Sequence, residues 1–211
     1  MKLYMVPAAP NPTKVMLYIA EREALGVDFG IEQVVVNTLK GRQREPEHLA
    51  RNPFGTLPVL ELADGSYLKE SLAIIAYLED KFPQQGLLGD SAESRAHSRD
   101  LERIVEFRVA QPLGRYVHAV NSPLGLPPDP KAAAEVEQSL PAALNYLEAL
   151  LGDGRELLQG AQVSIADCTL QSGLQFARFG KVDLPGGDYP YLTAWNARFC
   201  ARPPAKAVLK F

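Results

Sequence analysis

The chain has 211 residues, of which 46% are hydrophobic and 22% charged, and its formal net charge is −3. This suits two modest domains with packed cores, and argues against nucleic acid or an anionic membrane as the main partner. No apolar stretch approaches the length of a membrane span, and residues 1–6 are too short for a signal peptide. The only cysteines, Cys168 and Cys200, form no CxxC pair and fit a reducing cytoplasm better than a disulfide scaffold. His48, His97 and His118 share no metal-ligand spacing, so no metal site is expected.

In chain order, residues 2–6 read as a first strand, followed by the proline-rich loop PAAPNP. Helical spacing begins at Thr13, with Met16, Ile19 and Ala20 on one face and Gly26 as the stop. Residues 31–36 return to strand character, and Pro46 opens a short helix through Ala50. Strands near 58–62 and 66–69 flank Ala63-Asp64-Gly65, a hairpin signal. A helix over 71–82 carries Leu72, Ile75, Leu78 and Phe82 on one side and stops at Pro83. The order predicts a small mixed sheet with helices packed on it, spanning residues 1–83.

Residues 84–91 read as a linker, and everything over 92–211 reads as an all-helical domain. A long amphipathic segment over 92–120 should kink or split at Pro112. A helix over 131–151 conflicts locally with Pro141 inside it. Ser164 and Asp167 have the spacing of a capping box for a helix running to about Phe179. Asp167 is therefore expected to be structural, worth roughly 1 kcal/mol, and Cys168 to be buried packing. Short helices around 190–201 and 203–209 close the chain.

The run NPFGTLPVLELADGSYLKESLAIIAYLEDKFP (52–83) carries the clearest chemistry. Pro58 in an extended run sits at an edge or is cis, and a cis bond would turn the backbone of Leu57 sideways. Ser71 at a helix start, where free N–H groups and the positive dipole end converge, can attract a carboxylate. Together these suit a backbone grip on a small anionic peptide.

NPFGTLPVL (52–60), KESLAIIAYLEDKFP (69–83), the SIAD cap (164–167) and YPYLTAWNARFCARP (189–203) resemble the cytosolic glutathione transferases. APNPTKV is similar to the first loop of bacterial members of the Nu/theta-like group. The resemblance implies a thioredoxin-like N-terminal domain, an all-helical C-terminal domain and a homodimer. It also implies glutathione as co-substrate, no cofactor, and no nucleic-acid or membrane partner. On this reading Leu57 pairs with the cysteinyl backbone, Pro58 is cis, and Glu70 and Ser71 hold the γ-glutamyl end. Gln43 falls near the glycine carboxylate, with Lys40 a weaker candidate and Arg44 a nearby cation.

Thiol activation needs the thiolate, and family members usually supply a Tyr, Ser or Cys donor near the first helix. This chain departs from that pattern, because its loop has no Ser or Cys and carries Ala9 where relatives often have Thr. Tyr4 lies on the strand, where alternation could equally turn it into the core. Asn11 is the chosen sulfur donor, and an ordinary turn-forming role weighs equally with it. Thr13 is a weaker donor that also suits a cap. Phe107, Arg108 and Tyr116 are expected at the co-substrate pocket, and His97 and His118 are expected to face solvent.

The reading is a cytoplasmic detoxification enzyme that adds the glutathione thiolate to a small hydrophobic electrophile. Two alternatives stand beside it: a glutathione-dependent disulfide reductase, and a non-catalytic glutathione- or protein-binding module on the same scaffold.

Overall fold

A computed structural model describes residues 1–210, so Phe211 of the expected helical region lies outside the described residues. Strand β1 (Lys2–Met5) leads into α1 (Pro10–Ala24), β2 (Glu32–Val35) and α2 (Pro46–Arg51). Strands β3 (Val59–Glu61) and β4 (Tyr67–Leu68) then precede α3 (Ser71–Lys81). The sheet order is β2-β1-β3-β4. β1 runs parallel to β2 and antiparallel to β3, which is antiparallel to β4. This is the thioredoxin-like arrangement that one crossover and one hairpin require.

The helical part comprises α4 (Ala92–Val105), α5 (Gln111–Asn121), α6 (Pro130–Leu151), α7 (Ile165–Phe179), α8 (Pro190–Ala201) and α9 (Pro203–Val208). Between α4 and α5, residues Glu106–Ala110 form a π-helical turn, so the predicted split at Pro112 is a local widening of a continuous segment. Pro112 has no N–H to donate, and a π turn just before it accommodates the missing rung. Pro141 does not break α6. Its ring packs where a side chain on Gly186 would have to sit, at 2.7 Å from an added Cβ.

Helix α1 is the spine of the molecule, packing on α3 on one side and on α7 and α9 on another. It is buried over residues 12–19 and at Glu21 and Arg22, so Lys14, Glu21 and Arg22 are covered, which is rare for charged side chains. Each finds partners. Arg22 pairs with Glu79 at 2.6 Å and donates to the Phe82 and Gln84 carbonyls, while Glu79 also accepts the Leu87 N–H. Arg202 grips Glu21 with two hydrogen bonds of 2.9 and 2.7 Å. Charge pairing thus fastens α1 to the end of α3 and to the last helices, and fixes where its N-terminus emerges.

Candidate active site

The helix α1 begins at Pro10, three residues earlier than Thr13, because proline at the first helical position is pre-set for helix and loses nothing by lacking an N–H. Asn11 therefore lies in the first turn of α1 and not in a preceding loop. The N-cap residue, Ala9, makes no side-chain cap. Pro10 and Pro12 carry no N–H, and Thr13 N bonds to the Ala9 carbonyl at 3.0 Å. The first-turn N–H left over is that of Asn11, so its backbone and side-chain donors meet at the positive end of α1. Just upstream, Ala8 takes φ 69°, a left-handed conformation that costs an alanine roughly 1 kcal/mol. Strain of this kind gathers where a backbone is held for function.

This turn forms part of a cleft of about 330 Å³. Val6 through Asn11, Thr38, Leu39, Gln43 and Gly55 through Leu57 contribute from the sheet side. His118, Pro123, Leu124, Phe176 and Phe179 contribute from the helices. The NPFGTLP loop is pinned for this role. Buried Asn52 donates to the Thr56 carbonyl and hydroxyl, both at 2.9 Å, and accepts the Phe54 N–H at 3.1 Å. His48 Nε2 reaches the same Thr56 carbonyl at 3.1 Å. Gly55 has φ +63°, and a Cβ there would stand 3.1 Å from the Gln43 carbonyl. The Leu57–Pro58 bond is cis, as the resemblance implied.

The remaining expected residues fall into three groups. Gln43 lines the cleft, and its Oε1 is buried without a hydrogen-bond partner, an acceptor awaiting a donor. Lys40 and Arg44 are exposed and outside the cleft lining. Glu70 is the N-cap of α3 without a side-chain cap, and Ser71 is the first helical residue, not the cap itself. The first-turn N–H groups of α3 are consequently open to an anion. Lys14, one turn beyond Asn11 on the same helix face, reaches Ser71 Oγ at 3.3 Å. The start of α3 lies outside the cleft lining, and the buried Lys14 side chain links it to the helix that carries Asn11.

Several expectations are corrected. Thr13 is 1% exposed, and its hydroxyl accepts from Gln175 Nε2 at 3.2 Å, which spends it on packing α1 against α7. Tyr4 points to the face it shares with Val36 and Val59, and its hydroxyl donates to Glu61 at 2.6 Å. Burial and that bond push its phenol up to about 12, and Tyr4 lies outside the cleft lining. Phe107 and Arg108 line a different groove, with Ile104, Pro112, Ser139 and Tyr146 between α4 and α6. Tyr116 is buried and donates to Glu137 at 2.8 Å. None of these three lines the cleft at the N-terminus of α1. The reason is that helical spacing fixes a face only relative to its own axis, and the π turn adds a rotation within residues 106–110.

His118 is the residue that sequence reasoning missed. It faces the cleft, half-buried, with its ring 5.3 Å from that of Phe176 and Nδ1 2.8 Å from Ser122 Oγ. Burial lowers its pKa below the usual imidazole range, so the ring is neutral near pH 7 and can accept a proton. No local signal marks it, because Phe176 and Phe179 arrive from a helix some sixty residues later. The cleft lining carries no formally charged side chain among the described residues.

Residues 9–81 match the family model described as the glutathione S-transferase N-terminal domain, and residues 115–203 match its C-terminal domain. The chain belongs to the glutathione S-transferase family. It is 30% identical to glutathione S-transferase 2 of Saccharomyces cerevisiae, over 100% of this chain and 90% of that one. It is 36% identical to glutathione S-transferase F10 of Arabidopsis thaliana, over 87% and 86% respectively. A solved glutathione S-transferase domain-containing protein from Marinobacter aquaeolei VT8 superposes with a TM-score of 0.84 at 33% identity, covering 97% and 100% of the two chains. These matches establish the family and the two-part fold, and do not single out the Nu/theta-like group within it.

Proposed function

We propose that this enzyme conjugates the glutathione thiolate to an uncharged, apolar electrophile in the cleft at the N-terminus of α1. The supporting observation is the convergence of Asn11, Gln43, Leu57 and His118 on one cavity, with the α3 N-terminus tied to α1 through Lys14 and Ser71. Leu57 offers its backbone to the cysteinyl unit, and Gln43 takes the glycine end. The first turn of α3, with Glu70 and Ser71, takes the γ-glutamyl end. The sulfur then lies against Asn11, whose N–H donors stabilise the thiolate, while neutral His118 accepts the proton directly or through a water.

The apolar part of the cleft lining supports the electrophile class. Leu39, Pro123, Leu124, Phe176 and Phe179 are all apolar, and a charge brought against them would be desolvated without a partner. An uncharged aryl halide should therefore show at least about tenfold higher kcat/KM than the same compound bearing a carboxylate. Steady-state rates on the matched pair check this, and equal or reversed preference would contradict it.

The homodimer and the cytoplasmic setting belong to the same proposal. Exposed Phe107 and Tyr146 in the groove between α4 and α6 support a partner on that face. Free Cys168 and Cys200 suit a reducing compartment. Among the described residues no helix is long and apolar enough to cross a membrane. Conjugation is preferred to disulfide reduction or mere binding because the named relatives are transferases and the cleft retains both donors and a proton acceptor. The test is Asn11→Ala, which should keep glutathione affinity and raise the pH at which the bound thiol ionises. An unchanged thiol titration removes Asn11 from the mechanism.

A further inference from the structure

Lys14 is 1% exposed and touches no part of the cleft, yet its ammonium lies 3.3 Å from Ser71 Oγ at the start of α3. It also pairs with Glu106 Oε2 and stands 3.8 Å from Glu102 Oε1. Both carboxylates are buried and further held. Glu106 accepts from Gln111 Nε2 at 3.2 Å, and Glu102 accepts from Thr169 Oγ1 at 3.1 Å and pairs with Arg103 at 2.7 Å. Contacts from α4, the π turn, α5 and α7 thus fix one lysine behind one serine.

The polarity of the Lys14–Ser71 bond follows from chemistry. An ammonium donates hydrogen bonds and accepts none, so Ser71 Oγ must be the acceptor. The serine proton is then obliged to point elsewhere, and no other partner of that hydroxyl occurs among the described residues. A serine held in this way is a committed donor at an open helix N-terminus, suited to a carboxylate. Without Lys14, the same serine would be free to turn its lone pairs outward, with two buried carboxylates behind it repelling an anion.

We propose that Lys14 is a positioning residue for the α-carboxylate of the γ-glutamyl unit. It locks Ser71 as a donor and ties that polarity to Glu102 and Glu106 of the helical domain. The proposal rests on the reading that the start of α3 seats that carboxylate.

The test is calorimetric binding of two ligands, glutathione and 4-aminobutyryl-cysteinyl-glycine, which keeps the amine and lacks the α-carboxylate. The wild type should prefer glutathione. Lys14→Met combined with Glu106→Gln, which limits the uncompensated buried charge, should lose about tenfold in glutathione affinity and little for the analogue. Ser71→Ala leaves every charge in place and should show the same selective loss, while Lys14→Arg should restore part of it. Equal weakening of both ligands in the Lys14 variant, or a Ser71→Ala protein that binds both like wild type, would overturn the role of Lys14. A wild type that does not distinguish the two ligands would overturn the α3 reading itself, and the proposal with it.

Discussion

Asp167→Ala should destabilise the protein by about 3–5 kcal/mol, far more than loss of an ordinary helix cap. Asp167 is 0% exposed and accepts four hydrogen bonds. They come from Leu158 N at 2.9 Å, Ser164 N at 2.8 Å, Ser164 Oγ at 2.6 Å and Trp195 Nε1 at 2.9 Å. Removing the carboxylate leaves these buried donors without an acceptor, and each unsatisfied donor costs about 1–3 kcal/mol before relaxation. For a chain of this size the loss corresponds to a melting temperature lower by roughly 10 °C. Thermal unfolding followed by circular dichroism checks it, and a change under about 1 kcal/mol would refute the assignment. Sequence spacing reveals the capping box and hence the roughly 1 kcal/mol expectation. The contacts with Leu158 and Trp195 lie outside the cap motif, and they turn a cap into a hub beneath α7, the helix that carries Phe176 and Phe179 to the cleft.

His118→Ala should lower kcat/KM by about a hundredfold, and Asn11→Ala by about tenfold, with both proteins folded. The two groups act on one event, loss of the thiol proton, so the double variant should fall short of the product of the single losses. The pH dependence has a definite sign. Burial depresses the His118 pKa, so its neutral, proton-accepting form persists somewhat below the usual imidazole midpoint. In the wild type a further acid limb of kcat/KM should appear below about pH 6.5, beneath that set by the thiol itself, as His118 becomes protonated. His118→Ala should abolish that limb. Retention of the limb in the variant would assign it to another group.

The fold was largely legible because strand alternation, helix periodicity and the capping box are local signals. The expected helices near 71–82, 190–201 and 203–209 match α3, α8 and α9 within a residue or two. The start of α1 was not legible in the same way. Pro10 and Pro12 read as a loop, although proline is also at home in a first helical turn, and the packing of the following residues on α3 and α7 decides between the two. The glutathione-facing half of the site rests on short-range motifs such as NPFGTLP and Glu70-Ser71. The electrophile-facing half does not. His118, Leu124, Phe176 and Phe179 meet only after α5 and α7 pack, whereas Phe107 and Arg108 lie within the π turn and line a separate groove.

The central claim is that this cleft binds glutathione and ionises its thiol. Thiolate absorbance of glutathione bound to the wild-type protein, titrated from pH 5 to 9, tests it most directly. Burial raises both protein thiols, Cys168 and Cys200, and subtracting the titration of the ligand-free protein removes what they contribute. The account predicts an apparent thiol pKa about one unit or more below the roughly 8.5 of an unperturbed cysteine. Bound glutathione titrating at the same pH as free glutathione would contradict it.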